Sequence, residues 1–162
     1  MKLMVTQQLA DRLSQLQWRL STAESCTGGM IASRCTDLAG SSAWFDRGFV
    51  SYSNIAKSDM LGVPAEMIDQ HGAVSEAVAK AMALGAVYRS ESNVSVAVTG
   101  IAGPSGGSQA KPVGTVWLAW CIDGRVHTEL QTFTGNREQV RLSTTDCAIE
   151  GLLKRLPTAA SS

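Results

Sequence analysis

The chain has 162 residues, 44% of them apolar and 17% charged, so it can bury one ordinary core and does not read as disordered. Fourteen basic residues balance fourteen acidic ones, which speaks against a surface built for nucleic acid or anionic lipid. Cysteines 26, 35, 121 and 147 form no Cys-x-x-Cys pair and have no neighbouring histidine; this argues against a metal site and for free thiols in a cytoplasmic protein. No apolar run approaches the roughly 20 residues of a membrane span, and Met1 to Gln17 shows helical periodicity in place of a signal peptide.

Val5, Leu9, Leu13 and Leu16 recur at helical spacing and predict a helix over 4–17. Residues 18–23 read as a short strand that delivers the chain to Ser25-Cys26-Thr27-Gly28-Gly29, and a second helix then runs toward Gly40. A strand over 47–53 precedes a helix to Leu61, with Asn54 as its expected N-cap and Gly62 as its stop. Pro64 opens a short helix toward Gln70, and Ser75 caps an alanine-rich helix to about Ser90. Valines alternate with small residues over 93–99, a long glycine-rich loop follows, and 113–122 is a strand. Asp123-Gly124 predicts a two-residue hairpin into a strand over 126–134, and Asn136 caps the last helix. Pro157 to Ser162 reads as a frayed tail. Strands alternate with helices and a hairpin comes late. The expected fold is therefore α/β: one domain over 1–162, a mixed sheet with helices on both faces in α/β/α layers.

Three segments carry chemistry. A strand ending at Glu24 and a helix starting near Gly28 place Ser25, Cys26 and Thr27 at a helix mouth, where backbone N–H groups lack partners and negative charge is favoured. The turn supplies either a nucleophile with oxyanion donors beside it or merely a capped helix start, and spacing alone does not choose Ser25 over Cys26. The second segment is Tyr52-Ser-Asn-Ile-Ala-Lys57. Lys57 falls in the first turn of a helix, where dipole and burial both disfavour its charge, and a neutral lysine can take a hydroxyl proton. Tyr52 would relay or position that proton, whereas His71 and His127 are weak candidates for a base.

The third segment, the loop around Gly100 and Gly103, fits neither a nucleoside-triphosphate P-loop nor a dinucleotide fingerprint, but its backbone N–H groups could still cradle a phosphate. Ser108-x-x-Lys111 imitates a penicillin-binding motif in the wrong order and with Pro112 directly after it, so that reading is rejected. Arg137 and Arg141, one turn apart at the start of the last helix, suit a phosphate or a carboxylate, or serve as plain solvated charges.

Taken together, Thr22-Ala-Glu-Ser-Cys-Thr-Gly-Gly29, Gly40-Ser-Ser42, Tyr52-Ser-Asn54 with Lys57, His71-Gly-Ala-Val-Ser-Glu76, Thr99-Gly-Ile-Ala-Gly-Pro104 and Lys111-Pro-Val-Gly-Thr-Val116 resemble the CinA C-terminal family. The resemblance covers nearly the whole chain from Ser21 to about Arg141, in the form without the N-terminal domain of longer members. It implies hydrolysis of the nicotinamide mononucleotide carboxamide without a metal or organic cofactor, and it allows a homo-oligomer. Carried over by position, Ser25 matches the nucleophile, Lys57 the base and Tyr52 its relay. Cys26 to Gly29 would hold the oxyanion, Gly100 and Gly103 would contact ribose or phosphate, and Arg141 is favoured over Arg137 as the substrate arginine. The competing expectations are a catalytically silent nucleotide-binding paralogue, an amidase of another small amide, and a protein of DNA uptake, against which the zero net charge counts.

Overall fold

The computed structural model describes residues 2–158. In chain order it contains α1 (Lys2–Leu16), β1 (Leu20–Glu24), α2 (Met30–Thr36), a single 3-10 turn (Ser41–Ala43), β2 (Phe45–Val50), α3 (Asn54–Leu61) and α4 (Ala65–His71). Then come α5 (Glu76–Tyr88), β3 (Val94–Gly100), β4 (Thr115–Ile122), β5 (Arg125–Thr132) and α6 (Arg137–Arg155). The 3-10 turn was not expected from the sequence. The strand order is β2-β1-β3-β4-β5, with β1 parallel to both neighbours and β4 antiparallel to both of its own. Parallel neighbours need crossovers. Helix α2 joins β1 to β2 on one face, and α3, α4 and α5 join β2 to β3 on the other, which gives the three-layer single domain.

The alternation in β3 and β4 decides which layer goes where. Val94, Val96, Val98, Val116, Leu118, Trp120 and Ile122 point to the face covered by α1, α2 and α6, where they meet Leu9, Leu13, Ile31, Ile149 and Leu152. Each such aliphatic side chain contributes about 1.5–3 kcal/mol when fully buried. The opposite face carries smaller residues, Ala23, Ala97, Ala119 and Cys121, against Val78, Ala79, Met82, Ala83 and Ala86 of α5. With so little side chain between them, α5 and the sheet approach closely, and the Ser95 hydroxyl donates to the Ala83 carbonyl at 2.7 Å.

Most punctuation falls where the sequence puts it. Ser75 and Asn136 cap α5 and α6, the latter in a reciprocal box with Gln139. Gly62 at φ 71° stops α3, and Asp123 and Gly124 both take positive φ, as a type I′ hairpin requires. One cap moves. Ser53 Oγ accepts the Ala56 N–H, so Asn54, the expected cap, becomes the first helical residue. Of the expected frayed tail, residues 159–162 lie outside the described residues, while the Pro157 carbonyl accepts a hydrogen bond from Arg12 at 3.4 Å.

Candidate active site

Strands β1 and β3 lie side by side and end at the same edge, yet the chain leaves them in different directions. This is where open α/β sheets place a ligand crevice. Ser25 follows β1 directly, and its amide donates to Val98 of β3 at 3.2 Å. From the opposite side α3 sends in Lys57, which is 1% exposed. Lys57 Nζ donates to Ser25 Oγ at 3.0 Å and to the Tyr52 carbonyl at 3.0 Å, and Ser25 Oγ itself donates to that carbonyl at 3.4 Å. Burial pushes the Lys57 amine below the ordinary lysine pKa of 10.5, because the charged form has lost its water. No ion pair among the described residues includes Lys57. A buried lysine with no carboxylate is costly to keep as an ammonium, and as a free amine it is a base.

The neighbouring thiol is different. Cys26 is 5% exposed, and burial pushes its pKa up to about 11, so near neutral pH it is a thiol and not a thiolate. Of the two candidates that spacing alone left open, Ser25, which the family resemblance favours, is the one that hydrogen-bonds the buried amine. His71 and His127 are exposed and neither hydrogen-bonds Ser25.

The turn after Ser25 is held from below by a residue the sequence reading passed over. Glu24 is 1% exposed, and its carboxylate accepts from Thr27 Oγ1 and from the amides of Gly29, Ile31 and Ala32 at 3.2, 2.9 and 3.0 Å. These are the open amides of the α2 start, which has no side-chain cap of its own. The expectation that Cys26 to Gly29 all offer oxyanion donors therefore needs correction. The Gly29 amide goes to Glu24, the Gly28 amide to the Ser25 carbonyl at 3.1 Å, and Thr27 is fully buried. Of the four residues, Cys26 is the one that lines the cavity. A buried glutamate is hard to read from sequence, because glutamate is expected at the surface.

The cavity measures about 220 Å³ and is lined by Ser25, Cys26, Tyr52, Lys57 and Gly100 of the expected set, with Asn54, Ala73, Val74, Thr99, Ala102 and Arg137 added. Gly100 has no room for a side chain, since a Cβ there would lie 2.6 Å from Val116. Thr99 Oγ1 donates to the Ala73 carbonyl at 2.9 Å and fixes the apolar wall. Thr27, Gly28, Gly29, Gly103 and Arg141 do not line the cavity.

Tyr52 reaches the dyad through its carbonyl. Its side chain is exposed, and its phenol oxygen accepts from Arg137 at 3.3 Å, a geometry that does not support a proton relay by the phenol. Arg137 also donates to the Gly103 carbonyl at 2.8 Å, which ties the glycine-rich loop to α6. The preference for Arg141 over Arg137 at the cavity is reversed as well. Arg141 is turned to the back of the serine turn, where it donates to the carbonyls of Cys26 and Thr27, both at 3.1 Å. A signal for this existed. Arg137 is the first helical residue, and helical side chains lean toward the N-terminus and thus over the strand ends.

Fold and site together define a three-layer α/β protein with a buried serine–lysine pair at a sheet switch point. The chain belongs to the CinA C-terminal domain family, which it matches over residues 2–156. It is 54% identical over 138 residues to the nicotinamide-nucleotide amidohydrolase PncC of Enterobacter agglomerans, covering 85% of this chain and 84% of that protein. The PncC of Pseudomonas putida is 51% identical over 146 residues, covering 90% and 91%. Among solved structures, the competence/damage inducible protein CihA of Agrobacterium tumefaciens superposes with a TM-score of 0.91 at 48% identity, covering 94% of each chain.

Proposed function

We propose that this chain hydrolyses the carboxamide of nicotinamide mononucleotide to the carboxylate and ammonia, with Ser25 as nucleophile and Lys57 as general base. The observation that carries the chemistry is the 3.0 Å contact between Lys57 Nζ and Ser25 Oγ, with both groups buried and no carboxylate paired with the lysine. The class, an amidohydrolase, comes from relatives about half identical to this chain over most of its length.

In the reactive arrangement the Lys57 lone pair takes the Ser25 proton while one N–H stays on the Tyr52 carbonyl. Ser25 Oγ attacks the amide carbon, and the oxygen that gains charge is received by the Cys26 amide. One such donor is typically worth roughly 3–4 kcal/mol. The tetrahedral intermediate collapses as the Lys57 ammonium protonates the amide nitrogen, so ammonia leaves and an acyl ester stays on Ser25. Water then attacks the ester, gives its proton to Lys57 and releases the acid and free Ser25. Every proton taken is returned within the cycle, and no step needs a metal or redox group.

The cavity is smaller than the roughly 300–1,000 Å³ of sites that enclose a drug-sized ligand. It suits the pyridine ring and its carboxamide between Ala73, Val74 and Ala102 and leaves ribose and phosphate at the mouth, where Arg137 stands. The reading is tested by ammonia release from nicotinamide mononucleotide. Wild type is expected to release it, and Ser25→Ala to lose at least about 10³-fold in rate. Equal release by the two proteins would remove Ser25 from the reaction, and none from wild type would remove the substrate assignment.

A further inference from the structure

We propose that Lys111 is a positioning residue that ties the glycine-rich loop to the Ala73–Val74 wall of the cavity and so sets the width of the slot for the substrate's ring. The inference rests on the reading of the cavity as a ring slot and deepens it. The wall belongs to the stretch from His71 to Ser75, between the end of α4 and the start of α5. Three successive carbonyls there each receive a side chain from a different segment. Lys111 Nζ of the loop donates to His71 at 3.1 Å, Ser75 Oγ to Gly72 at 2.8 Å, and Thr99 Oγ1 of β3 to Ala73 at 2.9 Å. Of the three donors, only Lys111 belongs to the loop that supplies Ala102 to the same cavity.

The loop is folded tightly enough to transmit that hold. Its base is closed by the Ile101 amide on the Thr115 carbonyl at 2.9 Å and the Gly114 amide on the Ile101 carbonyl at 2.7 Å. Its two sides meet at Val113, whose backbone nitrogen would lie 2.8 Å from a Cβ at Gly107. At the tip, the Ser108 amide donates to the Lys111 carbonyl at 2.9 Å and the Lys111 amide to Ser108 Oγ at 3.0 Å. The Ser108-x-x-Lys111 pattern therefore builds a turn that presents the lysine. The receiving end is fitted to it. His71 closes α4, where carbonyls lack helical partners and the dipole favours a cation. Gly72, at φ 82°, leaves room for the ammonium, because a Cβ there would lie 3.1 Å from Nζ. Lys111 is half-buried and makes no ion pair among the described residues, so no carboxylate competes for it.

Ser25 and Lys57 come from the end of β1 and from α3, and Lys111 bonds to neither. Its loss should weaken binding of the ring and spare the chemical step. The test compares Lys111→Met and Lys111→Arg with wild type on nicotinamide mononucleotide and on the corresponding nucleoside, which lacks the phosphate. Lys111→Met is expected to raise KM by roughly 5- to 20-fold on both compounds, with kcat held within about twofold. Lys111→Arg keeps an N–H for the His71 carbonyl but brings a larger head over Gly72, so it should fall between Lys111→Met and wild type. A KM raised on the nucleotide alone would make Lys111 a phosphate ligand. A lower kcat with KM unmoved would place its effect on the Ser25–Lys57 pair. Either result, or no change in either constant, overturns the proposal.

A second measurement is independent of the substrate. The amides of Gly72 and Ser108 are hydrogen-bonded on the two sides of the tie, and that of Ser25 is held by Val98 away from it. In Lys111→Met, hydrogen exchange at Gly72 and Ser108 is expected to quicken by roughly threefold or more, with Ser25 at the wild-type rate. Unchanged exchange at Gly72 and Ser108 overturns the proposal whatever the kinetics. If the wild type hydrolyses neither compound, the substrate reading falls on that result alone, while quickened exchange at both amides still supports the tie.

Discussion

Ser25 and Cys26 are adjacent nucleophile types, and their surroundings separate them. Ser25 receives the Lys57 contact, whereas burial holds Cys26 protonated with a pKa of about 11. Beneath both lies Glu24, whose carboxylate holds the α2 start and the Thr27 hydroxyl at once. Glu24→Gln keeps the size of the side chain but turns an N–H donor toward an amide N–H it should accept. Losing a buried charge-assisted hydrogen bond costs roughly 1.5–3 kcal/mol. At about 2–4 °C per kcal/mol for a chain of this length, Tm is expected to fall by roughly 3–12 °C, with a lower kcat as the turn loosens. Thermal unfolding of the variant at the wild-type midpoint would show that the cap does not hold the turn. The Ser25–Cys26 turn and Lys57 stood out as candidates because hydroxyl, thiol, amine and glycines fell beside predicted strand ends, and only the family resemblance chose Ser25 over Cys26. Glu24 and the true orientation of Arg141 were not legible, since both act on backbone groups whose direction appears only once the turn is built.

Among the elements, α5 shows what local pattern conveys and what it hides. Its Ser75 cap and alanine-rich run were readable, as were the Asp123-Gly124 hairpin and the Asn136 cap. Gly85 interrupts the alanine-rich run inside α5. It is a contact. A Cβ there would lie 2.0 Å from the Leu61 carbonyl oxygen at the end of α3, the helix that carries Lys57. Alanine in place of glycine gains about 1 kcal/mol of helix propensity, but the clash is with backbone, and overpacking of this kind costs about 1–3 kcal/mol. The clash is expected to win, so Gly85→Ala should lower Tm and, by moving α3, lower kcat. Calorimetry that found the variant more stable than wild type would mean that α3 yields freely, and α3 could not then be what fixes Lys57.

For the whole molecule the site works against stability. It draws Ser25 from the sheet, Lys57 from one helical layer and Arg137 and Arg141 from the other, so the buried amine sits where both layers meet the strand ends. Its lowered pKa means that at low pH the folded protein carries a buried charge, and as pH rises past that pKa the folded lysine is neutral while the unfolded one still holds its proton up to about 10.5. In that window the unfolded state binds more protons, so stability must rise with pH. In the proposed reaction, the same loss of a proton creates the base for Ser25. Lys57→Met removes both effects. It is expected to abolish hydrolysis and to stabilise the protein by roughly 0.5–2 kcal/mol near neutral pH, as substitutions at strained active sites commonly do. That advantage should shrink as pH approaches 10.5. Urea unfolding of both proteins across this range checks the sign. An advantage that stays constant with pH would mean that Lys57 is no more costly to charge in the fold than in water, and Ser25 would then lack its base.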